Sequence, residues 1–469
     1  MPIKAAALDQ IKKNLGSGGF IDEPARMELY LVAWRGGWRG TAPLIALPST
    51  TAQVAAVVKI CATEKIGIVP QGGNTGTVGG CIPSMAGDQI VIGLGRMNKI
   101  RTIDAAGAAV TVEAGVILQV LQETASEAGF LFPLSMASQG SAQIGGVIST
   151  NAGGTSVLRY GNTRDLVLGL EAVLPDGEIF SGLKSLRKDN MGYNLAQYFI
   201  GAEGTLGIVT AATLKLFPKP QQNLTAIAAV PNAKAALELL GEFRAECGEY
   251  ISAFEIISDN ALRLLLKNIP NTRQPCGDAP FYLLIALDAP SRNAPLRTMF
   301  ESVAGKALED GGISDAVIAE NLAQAAQFWH MREHIPDAIR KEAAAIHFDI
   351  ALPLADIPGF LAGAEKQIKA VAPNIVLAPF GHIGDGNLHY NMCFAKKPAD
   401  FDTLKKRIQD IVFGEVLKRD GSLSAEHGIG TDRKAALLLA KTPVEIALMK
   451  KIKRAIDPDG LMNPGKVFD

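Results

Sequence analysis

P-L-S-M-A-S-Q-G-S-A-Q-I-G-G-V-I-S-T-N-A-G-G, residues 133–154, is the stretch on which the reading of this chain turns. It contains no Asp, Glu, Lys or Arg and is built largely from Gly, Ser and Ala. A simple surface loop holds more charge. Small, neutral, hydrogen-bonding residues suit a backbone laid along a long, flat ligand, because glycine lets the main chain approach closely. Two further stretches share this character. Q-G-G-N-T-G-T-V-G-G, residues 71–80, follows a short buried strand at residues 67–69, and G-A-E-G-T-L-G-I-V-T, residues 201–210, runs into another strand. In the first of these, closely spaced glycines let successive N–H groups point into one concavity. Asn74, Thr75 and Thr77 add side-chain donors, which together make a nest for phosphate oxygens. No Gly-Lys-Ser/Thr follows, so this is not a P-loop, and the spacing and following helix of a Rossmann fingerprint are missing. By composition alone a tight turn stays open as the other reading.

The length, 469 residues, implies two or three domains. Apolar content of 48% and charged content of 20% belong to an ordinary globular protein. The net charge is -1 with no long basic run, which argues against a nucleic-acid partner. Cys61, Cys81, Cys247, Cys276 and Cys393 form no C-x-x-C pair, against an in-chain iron–sulfur cluster and against a disulfide framework. No apolar run approaches the roughly 18 residues that mark a membrane span. The start, M-P-I-K-A-A-A-L-D-Q-I-K-K, reads as a short amphipathic helix without the apolar core of a signal peptide, so the cytosolic side is the expectation.

Element by element, the first half predicts strands at residues 42–48, 67–69, 89–94, 109–113, 166–174, 179–181 and 207–217. Helices are predicted after Thr50, whose Gln53 stands three residues on as in a capping signature, and over residues 117–128. Pro218-Lys219-Pro220 reads as the first domain boundary. The second half suggests strands at residues 224–230, 250–257, 281–287, 349–354, 375–380 and 388–394 with helical patterns between them. That is α+β, with a mixed or antiparallel sheet and helices on one face. The expected domains are residues 1–220, 221–420 and a final segment, 421–469, that folds back on the first.

F-G-H-I-G-D-G-N-L-H-Y-N, residues 380–391, holds two of only six histidines in the chain. Gly384, Asp385, Gly386 and Asn387 supply turn chemistry between hairpin arms. His382 and His389 then lie near the turn on opposite arms, where cross-strand neighbours stand roughly 5 Å apart at Cβ. Asn391 shares a face with His389 by strand alternation. Two such imidazoles can converge on a metal, or each can simply pack against the turn; these residues alone leave both readings open.

Together, the loop at 71–80, the S-x-G-S-x-x-I-G-G-x-x-x-x-N-A-G-G run at 138–154 and the G-x-E-G-T-L-G-I-V-T run resemble the flavin domain of the vanillyl-alcohol oxidase superfamily. F-G-H-I-G-D-G-N-L-H, A-E-H-G-I-G at 425–430 and the ending N-P-G-K-V resemble its D-lactate and D-2-hydroxyglutarate dehydrogenase branch. The likeness runs from about residue 44 to 467. It implies FAD, bound through Gln71, Gly72, Gly73, Asn74, Thr75, Gly76 and Thr77 at the pyrophosphate. Ser135, Ser138, Ser141, Gly145, Gly146, Asn151, Glu203, Ile208 and Asn463 would complete the cofactor site. Some members tether flavin through a histidine; these loops contain none, so noncovalent FAD is expected. The resemblance further implies that Glu426 completes a metal site with His382 and His389. Two histidines and a glutamate leave a coordination position open, as in catalytic zinc, which makes zinc the expected metal. His427 is implied as the general base and a substrate contact, and Arg332, in F-W-H-M-R-E-H, as the grip on the substrate carboxylate. Asn391 and His347 are further expected substrate contacts. Where the family has a threonine and a lysine, this chain has Pro336 and His347, which weakens the case for a second substrate carboxylate. The implied function is oxidation of a D-2-hydroxy acid, with electrons passing to a separate electron-transferring flavoprotein or quinone-linked partner; a homodimer is left open. The other readings are a metal-dependent hydrolase and a flavin-binding subunit of a larger complex.

Overall fold

Thr50 caps the helix Thr51–Glu64: its hydroxyl accepts the Gln53 N–H at 3.2 Å. The Gln53 carboxamide oxygen reaches back one residue further than a capping box, to the Ser49 N–H at 2.8 Å. This helix and Ala5–Leu15 bury an apolar face that includes Val54, Val57, Val58, Cys61 and Ile11. The computed structural model describes residues 3–468.

The chain divides into two compact units. The first comprises Met1–Gly153, Gly161–Lys219 and Glu426–Asp469; the second comprises Gly154–Tyr160 and Pro220–Ala425. In the first unit, Gln89–Gly93 pairs in parallel with Ile45–Ala46 and with Gly67–Gln71, and Phe20–Ile21 closes the outer edge. A five-stranded antiparallel sheet runs in the order Ile100–Asp104, Ala109–Glu113, Ile208–Lys215, Val167–Val173, Ile179–Gly182. Residues of both sheets, among them Ile68, Ile92, Val173 and Ile208, share one core with the two helices. The C-terminal segment is tied in by a parallel bridge between Ile68 and Met462.

The second unit is built on a seven-stranded antiparallel sheet, ordered Asp315–Ile318, Gln222–Val230, Phe281–Ala289, Ile251–Ser258, Phe380–His382, Asn387–His389, Asp349–Ala351. Helices cover both faces, not one as the sequence suggests. Phe254 meets Phe243 of the helix Ala233–Cys247 on one side. Ile257, on the other, packs with Leu265, Met331 and Ile335. That explains why Ile251–Ser258 is buried at every position and shows no apolar–polar alternation.

Two boundaries differ from the sequence reading. The return to the first unit falls at Glu426, beyond Gly421, because Ser422 and Ala425 are still hydrogen-bonded to Ala351 and Asp349. The excursion Gly154–Tyr160 belongs to the second unit, where Arg159 donates to the Asp288 carbonyl at 2.6 Å. Nothing in its composition announces this.

Candidate active site

The glycine loop of the first unit leaves the strand Gly67–Gln71 and is pinned from behind. Gln71 donates to the Tyr30 and Cys81 carbonyls at 2.9 Å, and Asn74 to those of Leu29 and Val32 at 3.2 and 2.8 Å. The Trp34 indole donates to the Thr75 carbonyl at 2.9 Å. Asn74 takes φ 52°, the left-handed region that Asn tolerates better than most residues. None of the backbone N–H groups of residues 72–77 donates to another described residue, and the Thr77 hydroxyl is buried without a partner. Side-chain donation by Asn74 into the concavity, expected from the sequence, is thus replaced by a bracing role. The donors left for an anion are the main chain and the hydroxyls of Thr75 and Thr77.

The second neutral stretch packs closely on the first. A Cβ on Gly73 would stand 1.9 Å from the Ser141 carbonyl oxygen, and one on Gly145 2.8 Å from the Ala114 Cβ, so both positions require glycine. Gly76 and Gly146 face open space on the Cβ side. Gly145 donates to the Ala114 carbonyl at 2.7 Å at the start of the helix Ile144–Ser149, and the Gln143 carboxamide oxygen is buried without a partner. Ser135 and Ser138 are half-buried and Ser141 is exposed. Uncovered N–H groups, open glycine faces and orphaned polar atoms in two adjoining loops fit a large anionic cofactor such as FAD.

Several residues expected at the cofactor also brace the loops through their side chains. The Asn151 side chain accepts the Arg164 N–H at 2.8 Å. Glu203 accepts the N–H groups of Ile429 and Gly430 at 2.8 and 2.7 Å; burial pushes its carboxyl above the usual range against the pull of these bonds. Asn463 donates to the carbonyls of Gly80 and Glu203 at 2.8 and 2.7 Å. Ile208 lies in the core and can offer a ligand only its backbone.

In the second unit the hairpin differs from the expected pair of continuous arms. Pro379 and the Tyr390–Asn391 step break each arm, so Val376–Leu377 and Met392–Phe394 join a separate three-stranded sheet with Ala344–Ile346. The remaining pair, Phe380–His382 and Asn387–His389, sets Phe380 opposite His389 and His382 opposite Asn387. The two histidines are therefore diagonal neighbours on one face, with ring centroids 5.3 Å apart. Asn391 is buried, but its N–H turns back to the His389 carbonyl at 2.9 Å, so strand alternation does not set its direction.

His382 Nδ1 lies 2.6 Å from Glu255 Oε1, and Arg332 Nε donates to Glu255 Oε2 at 2.6 Å. Glu255 is fully buried. Burial alone would raise its carboxyl, but the charges of His382 and Arg332 and their hydrogen bonds outweigh it and hold it at about 2. A carboxylate accepts only, so Nδ1 of His382 carries a proton, and Nε2 is the nitrogen that can turn to a cation once the ring is neutral. His389 Nδ1 stands 4.0 Å from the buried Asp349, the residue opposite it in the sheet. Ala425 donates to the Asp349 carbonyl at 3.3 Å, and Glu426 is the next residue. Ligand atoms of His382, His389 and Glu426 all lie within 4.8 Å of one another. Two imidazoles and a carboxylate fit a divalent cation such as zinc.

Arg332 is buried, its guanidinium 4.8 Å over the Phe380 ring. His347 is exposed, between Ala344–Ile346 and Asp349–Ala351. His427 Nδ1 lies 3.2 Å from Arg433 Nη2; a guanidinium only donates, so this contact uses the Nδ1 lone pair. Glu255 and Asp349 were not anticipated. The available signal was a lone acid inside an apolar strand, as in I-S-A-F-E-I-I-S.

Residues 42–182 match the FAD binding domain family, and residues 219–467 the C-terminal domain of FAD linked oxidases. The mitochondrial D-2-hydroxyglutarate dehydrogenase of Arabidopsis thaliana is 37% identical over 97% of this chain and 80% of its own length. D-2-hydroxyglutarate dehydrogenase of Xanthomonas citri pv. viticola is 36% identical over 95% of this chain and 93% of its own. A putative mitochondrial D-lactate dehydrogenase of Schizosaccharomyces pombe is 36% identical over 95% and 85%. Among solved structures, substrate-bound p-cresol methylhydroxylase superposes with a TM-score of 0.77 at 17% identity, covering 99% of this chain and 96% of its own, a likeness of fold. With both family matches in place and relatives above 30% identity along nearly its whole length, the chain belongs to the FAD-linked oxidases, in the branch of the D-2-hydroxyglutarate and D-lactate dehydrogenases.

Proposed function

We propose that this FAD-dependent oxidoreductase converts a D-2-hydroxy acid, D-lactate-like or D-2-hydroxyglutarate-like, to the 2-oxo acid with help from a divalent metal. The observation that carries the metal-assisted reading is the grouping of His382, His389 and Glu426, with the buried Glu255 fixing the His382 tautomer. When bound, FAD supplies the acceptor for the C2 hydride, and the cation supplies a Lewis acid at the substrate's hydroxyl and carboxylate oxygens. His382 offers Nε2, because Nδ1–H is held by Glu255. Arg332 has its Nε on Glu255, which leaves the Nη edge for the substrate carboxylate. His427 takes the hydroxyl proton; the lone pair is the one on Nδ1, and Arg433 must give up its hold as the proton arrives. Asn391 and His347 are the remaining substrate contacts in this reading. Zinc is the metal it favours. Reduced FAD is reoxidised by a separate electron-transferring flavoprotein or quinone-linked partner.

The test is anaerobic mixing of the yellow protein with a panel of D- and L-hydroxy acids, following the flavin band at about 450 nm. D-2-hydroxy acids should bleach it and L-enantiomers should not. With Pro336 and His347 in place of a threonine and a lysine, D-lactate or another monoacid should match or exceed D-2-hydroxyglutarate. Persistent colour with every acid sinks the proposal. A large preference for the diacid shows that other residues supply the second carboxylate site.

A further inference from the structure

We infer that Glu255 is a positioning residue that ties the metal-ligand histidine and the substrate-anchoring arginine to one rigid carboxylate. This inference rests on the function proposed above. Glu255 comes from Ile251–Ser258, a strand paired with Phe380–His382 in the register Ile256 to Gly381 and Ile257 to Phe380. Continued by one residue, that register sets Glu255 opposite His382. Its other oxygen meets Arg332, near the C-terminal end of the helix Leu322–Glu333. Both contacts are 2.6 Å, and the carboxylate has no exposed surface.

The consequence is geometric. One oxygen takes the proton of Nδ1 and thereby aims Nε2 of His382. The other takes Nε–H of Arg332 and thereby orients the plane of its guanidinium, which the Phe380 ring backs at 4.8 Å. A planar carboxylate fixes the angle between its two lone-pair directions. The direction in which a cation is held and the direction in which a carboxylate is gripped are therefore set by the same atom group. A D-2-hydroxy acid needs both at once, its hydroxyl at the cation and its carboxylate at the arginine. Glu255 also keeps Arg332 and His382 from facing each other as two buried donors with no acceptor between them.

Glu255→Gln separates this role from ordinary packing. It is close to isosteric, but its NH2 group faces one of the two donors, so it cannot accept from both. Two equilibrium measurements on FAD-loaded protein read the result without turnover. Zinc affinity is measured by competition with a chromogenic chelator. Binding of the unreactive 2-oxo acid is measured from the change in flavin absorbance. The expected outcome is a loss of about 10- to 100-fold in zinc affinity, as for other residues that orient a ligand histidine, together with at least about tenfold weaker 2-oxo acid binding, with FAD content unchanged. Arg332→Lys should weaken the anion alone. Loss of only one property, or of neither, in Glu255→Gln overturns the shared role. Should Glu255→Gln fail to fold, Glu255→Asp keeps the charge but draws it back by one methylene, and the same two losses are expected. If the wild-type protein binds zinc and the 2-oxo acid but oxidises no hydroxy acid, the function proposed above fails, and the Glu255 measurements still decide this inference.

Discussion

At the scale of the residue, Glu426 and His427 are adjacent in sequence, and the proposed function gives them different tasks. Glu426 supplies a carboxylate to the same cluster as His382 and His389, whereas His427 contacts Arg433. Glu426→Ala should remove metal and activity together, read by metal analysis beside kcat. His427→Ala should keep metal and FAD and lose turnover by roughly 10²- to 10⁴-fold, the usual cost of deleting a general base. A His427→Ala protein that loses its metal, or keeps full turnover, shows that the division of labour is wrong. The sequence pointed to both residues through the motif in which they sit, yet it gave no hint that Arg433 contacts the ring nitrogen that the proposed proton transfer uses. Six residues of separation along an irregular stretch do not determine a contact; only the folded backbone does.

At the scale of the element, the strand Ile251–Ser258 places one carboxylate in an otherwise apolar row. Glu255 is held far below its ordinary carboxylate value, at about 2 against a reference of 4.5. A depressed carboxyl contributes stability that is present above its unfolded value and lost as pH falls toward the folded one. Metal-free protein should therefore lose stability between about pH 4.5 and about pH 2, followed by circular dichroism in an acid titration. Glu255→Gln should lack this part of the acid transition; an unchanged acid profile in that variant means that the carboxylate is not the group being titrated. Much of the element list was readable from pattern: Ala109–Glu113 has the bounds expected, and the helix Leu118–Glu127 falls one residue inside each end of the expected 117–128. The hairpin near residue 385 was readable as a turn. Its arms were not, because Pro379 and the turn at Asn391 move their outer halves into a second sheet, and sheet membership is a nonlocal property.

At the scale of the whole molecule, histidine placement bears on the cofactor. Of the six histidines, five lie between residues 330 and 389, and His427 is the only one in the first unit. The two loops that fit FAD contain none, so no imidazole in them can form a covalent flavin link. Acid precipitation should leave the pellet colourless and release the flavin to the supernatant. Colour retained on the pellet would falsify noncovalent binding.

The sequence by itself determined the class of fold and pointed to the flavin loops through local chemistry: glycine where backbone must approach closely, and uncharged polar residues along a flat ligand; the candidate metal donors followed from the motifs that resemble the family. Tertiary structure decided which atoms remain available. It gave the side chains of Asn74, Asn151, Glu203 and Asn463 bracing contacts and left the main chain of residues 72–77 uncovered. It also brought Glu255 between Arg332 and His382, residues 77 and 127 positions away along the chain. A buried carboxylate is tolerated there only because two donors meet it in space, and no local pattern encodes a meeting of three distant elements.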